Sequence, residues 1–213
     1  MVSSLARRRR LGHWTGRYIV DRLAVMGWQR RCPDAPWLTE SAVGMLRSWL
    51  RGDDVGLEWG SGRSTLWFAR RVKWLVSIEH AEDWYGAVSL SIARTGLTNV
   101  DHRLYRDERL YVAAGEAVTS ASVDFVLVDG VLRDQCAVAA ISRLKPGGIL
   151  VLDNANWYLP CRSRSPDSRT VEQGPASPLW ASFQRQVQSW RRIWTTNGVS
   201  DTAIFIKGSD SAE

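Results

Sequence analysis

The sequence predicts a doubly wound α/β fold on a mostly parallel sheet of about seven strands, and three observations predict it. Strand-like and helix-like patterns alternate from Val55 to Asp153. A glycine-bearing turn, Gly60-Ser61-Gly62, follows the first of those strands. The run Ile149-Leu150-Val151-Leu152 is apolar at every position, as a strand buried on both faces requires.

The bounds agree with one domain. A chain of 213 residues can bury one sizeable α/β core and is too short for two ordinary catalytic domains. With 45% apolar and 23% charged residues, disorder along most of the length is excluded. We expect a basic helical arm over residues 1–36 and a cofactor-binding domain over 37–213. Much of the net charge of +6 sits in Arg7 to Arg10 and in Gln29-Arg30-Arg31. Such an arm reads first as a solvated tail and second as a contact for nucleic acid or an anionic membrane. Cys32, Cys136 and Cys161 lack CxxC spacing, which suits a reduced protein better than a disulfide framework or a zinc site. After Arg10 the chain turns polar at once, and no stretch reaches the roughly 18 apolar residues of a membrane span, so a cytoplasmic location is expected. Of the 12 tryptophans, Trp14, Trp28, Trp37 and Trp49 are expected to pack the N-terminal helices onto the domain. The sequence leaves a homodimer open.

In chain order, a partly helical segment to about Trp28 precedes a Pro-bounded turn at Cys32-Pro33-Asp34-Ala35-Pro36. Thr39 is placed to cap a helix running to Leu50, because Ala42, Val43, Leu46 and Leu50 recur at helical spacing. Strands then follow at Val55–Trp59, Trp74–Glu79, Val100–Tyr105, Asp124–Asp129 and Gly148–Asp153. Helices are expected at Thr65–Val72, Ala81–Thr95 and Gln135–Leu144. Asn156 to Pro178 shows little periodicity and reads as a mobile lid or a disordered insert. A helix from about Leu179 to Trp190 and a hairpin of Arg192–Thr195 and Thr202–Lys207 around Asn197-Gly198 complete the chain.

Ligands of doubly wound sheets bind at the carboxyl ends of the strands, where the Gly60-Ser61-Gly62 turn lies. Gly60 and Gly62 admit positive φ and close approach of a ligand to the backbone. A GxG alone is weak, since ligand-free tight turns use glycine too. Glu79 closes the second strand at the position where an acid would accept hydrogen bonds from both hydroxyls of a ribose, and His80 follows it.

Leu57-Glu58-Trp59-Gly60-Ser61-Gly62, with an acid two positions before a GxG, resembles the first motif of class I S-adenosylmethionine-dependent methyltransferases. Ser64 stands where the longer pattern has a third glycine. Asp124-Phe125-Val126-Leu127-Val128-Asp129-Gly130 is similar to the fourth motif, and Leu144-Lys145-Pro146-Gly147-Gly148 leading into Asp153-Asn154 to the next. The resemblance covers about residues 55–207 and implies a Rossmann-like fold with an antiparallel C-terminal hairpin and N-terminal helices. It implies S-adenosylmethionine held by Glu58, Gly60, Ser61, Gly62, Ser64, Glu79, His80 and Asp129, with Glu58 beside the methionine part. Adenine contacts are expected in the loop after Tyr105.

Asp129, Asp153 and Asn154 look like the metal site of catechol O-methyltransferase-like enzymes, which implies Mg²⁺ orienting an acceptor hydroxyl and lowering its pKa. The plain alternative is that Asp129 caps the next helix and the Asp-Asn pair shapes a loop. Those enzymes place a lysine base shortly after the first Asp, whereas here only Arg133 is available, suited to steadying an oxyanion or an acceptor carboxylate. Asp129, Asp153 and Arg133 are therefore the expected catalytic groups, with Trp157 and Tyr158 lining the acceptor pocket beneath the 156–178 loop.

The implied reaction is methyl transfer to a hydroxyl of a small molecule, a sugar or a phenol. An NAD-dependent oxidoreductase shares the fold, but the full GxGxxG is missing. A nucleic-acid methyltransferase would carry an Asn/Asp-Pro-Pro-aromatic turn where this chain has Asp129-Gly130-Val131-Leu132. The missing lysine keeps a non-catalytic cofactor-binding protein in view.

Overall fold

The computed structural model describes residues 15–208. Arg7 to Arg10 and Trp14 lie outside the described residues, and the expectations placed on them lie there too.

Two helices, α1 (Gly16–Arg31) and α2 (Glu40–Trp49), precede the sheet. Then come β1 (Val55–Trp59), α3 (Arg63–Ala69), β2 (Trp74–Glu79), α4 (Glu82–Thr95), β3 (Val100–Leu104), α5 (Glu108–Glu116) and β4 (Val123–Val128). The chain continues through α6 (Arg133–Arg143), β5 (Leu144–Asp153), a 3₁₀ turn (Ala155–Trp157), α7 (Pro178–Gln186), β6 (Arg191–Thr196) and β7 (Asp201–Ile206). The seven strands lie in the order β3-β2-β1-β4-β5-β7-β6. β1 to β5 are parallel, while β7 runs antiparallel to both β5 and β6.

Both faces of the sheet are covered, which explains the continuous apolar runs of β4 and β5. Val126, Val128, Leu150 and Leu152 pack on one side with residues of α5, α6 and α7, including Val112, Ala137 and Phe183. Phe125, Leu127, Ile149 and Val151 face the other way, against Leu46 of α2 and Phe68 of α3. Thr39 caps α2, its side chain accepting from Ala42 N, and its own N–H donates to Thr202 Oγ1 of β7 at 3.1 Å. Trp28 anchors α1 in this second cluster, whereas Trp37 and Trp49 are exposed, so among the described residues only Trp28 of the early tryptophans meets the packing expectation.

Three elements differ from expectation. α5 was not anticipated; Asp107 caps it by accepting from the backbone of Arg109 and Leu110, and Tyr111 and Val112 bury its inner face. Lys145-Pro146-Gly147-Gly148, read as a turn before the strand, lies within β5 as an irregularity. The register with β4 jumps from Val123↔Leu144 to Phe125↔Ile149 there. Lys145 Nζ is drawn in by Asp124, whose two carboxylate oxygens both lie at 2.8 Å. The 156–178 segment is tied down rather than free. Arg169 N donates to Asn156 O, Cys161 N to Arg169 O, and Ser165 Oγ to Asp201 Oδ1 at 2.6 Å, while Arg164 pairs with Asp21 of α1. Its partners are the β6–β7 hairpin, α1 and α6, where Ser177 Oγ donates to Asp134 Oδ2 at 2.8 Å. All three cysteines are free. No helix among the described residues is long and apolar enough to cross a membrane.

Candidate functional site

β1 is flanked by β2 on one side and β4 on the other, so the chain's direction of travel across the sheet reverses between β1 and β4. Turns leaving the two strands at such a switch point diverge and open a crevice. A cavity of about 570 Å³ lies there, a volume in the range that takes a ligand of cofactor size. Gly60, Ser61, Gly62 and Ser64 supply the turn after β1; Glu79, His80 and Ala81 come from the end of β2; Asp129, Gly130 and Val131 from the end of β4. Trp37, Arg63 and Trp84 form the rim.

Gly60 has φ +95°, and its N–H donates to Ile78 O at 2.8 Å. A Cβ at this position would stand 2.5 Å from Gly130 N and 2.6 Å from Gly130 Cα. The two turns thus touch backbone to backbone, and the floor of the cavity has no room for a side chain.

Glu79 is 3% exposed, and its carboxylate organises that floor. Oε2 accepts from Ser61 N at 2.9 Å and Ser61 Oγ at 3.0 Å; Oε1 accepts from His80 N at 2.8 Å and Ala81 N at 2.9 Å. Three of these four donors are fixed backbone groups. The Ser61 hydroxyl can rotate away from Oε2, and the His80 ring, whose Nδ1 lies 2.9 Å from Oε1, can swing aside, so each oxygen can meet a ligand's donor.

Glu58 is placed differently from the expectation of contact with the ligand. It is fully buried and does not line the cavity. Its Oε2 accepts from Thr65 Oγ1 at 2.6 Å and Ser77 Oγ at 2.7 Å, and Thr65 Oγ1 accepts in turn from Gly62 N at 2.9 Å. Glu58 therefore holds the turn from below. Burial pushes its pKa from 4.5 up to about 7, against the hydroxyl hydrogen bonds that lower it. A raised carboxyl pKa favours the folded state while the group is protonated. The contribution is fully present below about pH 4.5 and lost as pH rises through 7. Glu58→Gln is expected to remove a pH-dependent loss of about 3 kcal/mol. Urea unfolding at pH 5 and pH 8 measures it: the variant should gain on the wild type between the two, and parallel profiles would contradict this placement.

At the ends of β4 and β5, the guanidinium of Arg133 draws the expected metal ligands around itself. Nε donates to Gly130 O at 2.8 Å; Nη1 to Asp153 O at 2.7 Å and Asn154 Oδ1 at 3.1 Å; Nη2 to Asp129 O at 2.7 Å and Asp129 Oδ1 at 2.8 Å. Its five N–H groups are all engaged, leaving none to steady an oxyanion or an acceptor carboxylate. Asp129 reaches the cavity, but Asp153 is 4% exposed and lies behind it, with Thr202 Oγ1 donating to its Oδ1 at 3.2 Å. Burial, and next the Asp129 charge, push Asp153 up to about 8. Mg²⁺ does not fit this donor set. It would need oxygens at about 2.0–2.1 Å, and Asp129 Oδ1 and Asn154 Oδ1 already bind a fixed cation. Among the described residues no group of three or more His, Cys, Asp and Glu side chains is arranged to hold a metal ion.

The remaining expectations divide. Ser61, Gly62, Ser64, His80 and Asp129 come together around the cavity. Trp157 and Tyr158, expected at the acceptor pocket, do not line this cavity; Tyr158 stacks on Trp180 with centroids 5.0 Å apart and lies with its ring centroid 5.9 Å from the Arg133 guanidinium. No residue of the 156–178 segment or of the loop just after Tyr105, where adenine contacts were expected, lines it. Sequence reasoning missed Trp84, whose Nε1 donates to Ser61 O at 2.5 Å, and Trp37, which carries the Arg63 guanidinium 5.2 Å from its ring centroid. Trp84 sits one turn into the helix after the β2 acid, a position that could have signalled it; Trp37 is brought in by the tertiary fold alone.

Solved structures share this architecture. The O-methyltransferase TomG from Streptomyces achromogenes, involved in tomaymycin synthesis and in complex with SAM, matches at TM-score 0.57 and 19% identity, over 89% of this chain and 90% of that one. An rRNA methylase from Streptococcus thermophilus matches at 0.52 and 12%, over 78% and 93%. A Streptococcus mutans protein in complex with SAH matches at 0.56 and 12%, over 79% and 96%. No protein-family model and no curated protein matches the sequence. The likeness is one of fold: the chain has the fold of the class I S-adenosylmethionine-dependent methyltransferases, as its motifs imply.

Proposed function

We propose that this chain binds S-adenosylmethionine in the switch-point cavity and transfers its methyl group to a hydroxyl of a small molecule, a sugar or a phenol. The observation that carries the reading is the cavity floor, where a glycine turn too tight for a Cβ meets the buried carboxylate of Glu79 at the end of β2. When bound, the sulfonium supplies an electrophilic methyl group. Glu79 would accept the ribose hydroxyls in place of the Ser61 hydroxyl on one oxygen and the His80 ring on the other. Ala81, Trp84 and Val131 give the apolar wall for a base, and Ser64 and Arg63 the polar end for the amino-acid part. Asp129 is the carboxylate that both lines the cavity and borders the crevice toward β5, which suits it to receive the proton that the acceptor hydroxyl releases. The protein's contribution is position and electrostatics. We place the cofactor-binding unit at residues 37–213, with Trp28 as the buried anchor of the arm before it.

An NAD-dependent oxidoreductase is disfavoured by the sheet itself, because dinucleotide folds continue in parallel where β7 here turns antiparallel. That TomG is an O-methyltransferase favours oxygen as the acceptor atom, and the rRNA methylase with the same fold keeps nucleic acid as the competing class. Incubation with methyl-labelled S-adenosylmethionine and panels of sugars, phenols and rRNA fragments tests the acceptor. Label on a hydroxyl compound is expected, and label on RNA alone would overturn the acceptor class while leaving the cofactor in place.

A further inference from the structure

We infer that Arg133 is a built-in cation that shuts the crevice between β4 and β5 to divalent metal, so that the site works without a metal and acquires one only when Arg133 is removed. The placement follows from the sheet. β4 and β5 are parallel and in register to Val128↔Leu152, so Asp129, Asp153 and Asn154 emerge side by side. Arg133 opens α6 four residues after Asp129, which returns its side chain over the end of the strand it has just left.

The Arg133 side chain is 13% exposed, and its guanidinium is held at all five N–H groups by five oxygens: three main-chain carbonyls, Asp129 Oδ1 and Asn154 Oδ1. Two consequences follow. Five of the oxygens a hard cation would use there are already coordinated, and a second positive charge would sit a few ångströms from a fixed one, where the local dielectric is below that of water. Conversely, truncating the side chain frees those five oxygens together beside the Asp153 carboxyl. Carboxylates with backbone and amide carbonyls are the donor set that Ca²⁺ and Mn²⁺ take, at distances longer and geometries looser than Mg²⁺ demands. The metal part of the inference stands on this geometry alone; the metal-free working of the site rests on the proposed function.

The test uses Mn²⁺ as the probe, with binding followed by the loss of its free EPR signal and by calorimetry. Wild-type protein is expected to bind no Mn²⁺ at one-to-one stoichiometry up to millimolar concentration, and its affinity for S-adenosylhomocysteine to be unchanged by EDTA. Arg133→Ala is expected to bind one Mn²⁺ at least tenfold more tightly than the wild type, with a melting temperature that rises on Mn²⁺ addition. The double variant Arg133→Ala with Asp129→Asn should lose that gain. One tight Mn²⁺ on the wild type would overturn the inference, as would a folded Arg133→Ala that gains none. If Arg133→Ala does not fold without metal, refolding it in Mn²⁺ decides: recovery supports the inference and continued failure, with Arg133→Lys folded and equally unable to bind, overturns it. Failure of S-adenosylhomocysteine binding in all of these proteins would count against the proposed function and leave the Mn²⁺ comparison standing.

Discussion

Glu79→Ala is expected to weaken S-adenosylhomocysteine binding at least 100-fold. The carboxylate does two jobs at once. It accepts three backbone N–H groups that shape the cavity floor, and it is the group placed to receive two ribose hydroxyls. Hydrogen bonds to a charged acceptor contribute about 1.5–3 kcal/mol each, so losing two removes at least two orders of magnitude in affinity. The freed N–H groups of Ser61, His80 and Ala81 add to this by loosening the turn. Calorimetric titration measures it, with circular dichroism to establish that the variant is folded. Glu79→Gln keeps one acceptor oxygen and should fall between; an unchanged affinity in Glu79→Ala would remove Glu79 from the site.

Gly60→Ala is expected to cost stability and binding together. The added Cβ would stand 2.5–2.8 Å from Gly130 N, Gly130 Cα and Asp129 C, all main-chain atoms, and would have to adopt φ +95°. A non-glycine residue in such a region costs on the order of 1–3 kcal/mol before any clash. Since neither backbone can retreat without breaking the Asp129 N to Trp59 O bond, the turns after β1 and β4 must separate. A total of about 3–5 kcal/mol is expected, which lowers the melting temperature by roughly 10 °C in a chain of this size. Thermal unfolding reads the first effect and S-adenosylhomocysteine titration the second. A variant with wild-type melting and binding would mean that the two turns are not in contact.

Much of the fold was legible because its signals are local. Val55–Trp59 and Trp74–Glu79 have the bounds that the apolar runs gave them, and Thr39 caps its helix as a hydroxyl before an apolar-periodic stretch should. α5 was missed because Leu110, Tyr111 and Val112 are consecutive rather than spaced at a helical period, and because Gly115 lowers helix propensity. That glycine has a tertiary reason: a Cβ there would stand 1.9 Å from the Trp59 ring. The Lys145-Pro146-Gly147-Gly148 segment carries turn chemistry and does interrupt the register of β5 with β4, while Lys145 pairs with Asp124 across the gap.

The site was half legible. Glycines and acids at strand ends can be placed from a strand pattern alone, and Gly60, Gly62, Glu79 and Asp129 meet around one cavity. What one sequence does not carry is which way a side chain points. Glu58 turns into the core under its hydroxyl partners, and Asp153 lies behind Asp129. The contact between Arg133 and Asn154 spans 21 positions and two strand ends, so the arginine that fills the space expected for a metal read as a missing lysine. The 156–178 segment has no periodicity to show its partners, and its tie from Ser165 to Asp201 spans 36 positions.

The central claim is that the cavity at the ends of β1, β2 and β4 is an S-adenosylmethionine site. Calorimetric titration of the wild-type protein with S-adenosylhomocysteine, with NAD as the control, tests it most directly. One-to-one micromolar binding, lost in Glu79→Ala and absent with NAD, is the predicted result; no binding of S-adenosylhomocysteine by folded protein, or binding of NAD in its place, would contradict it.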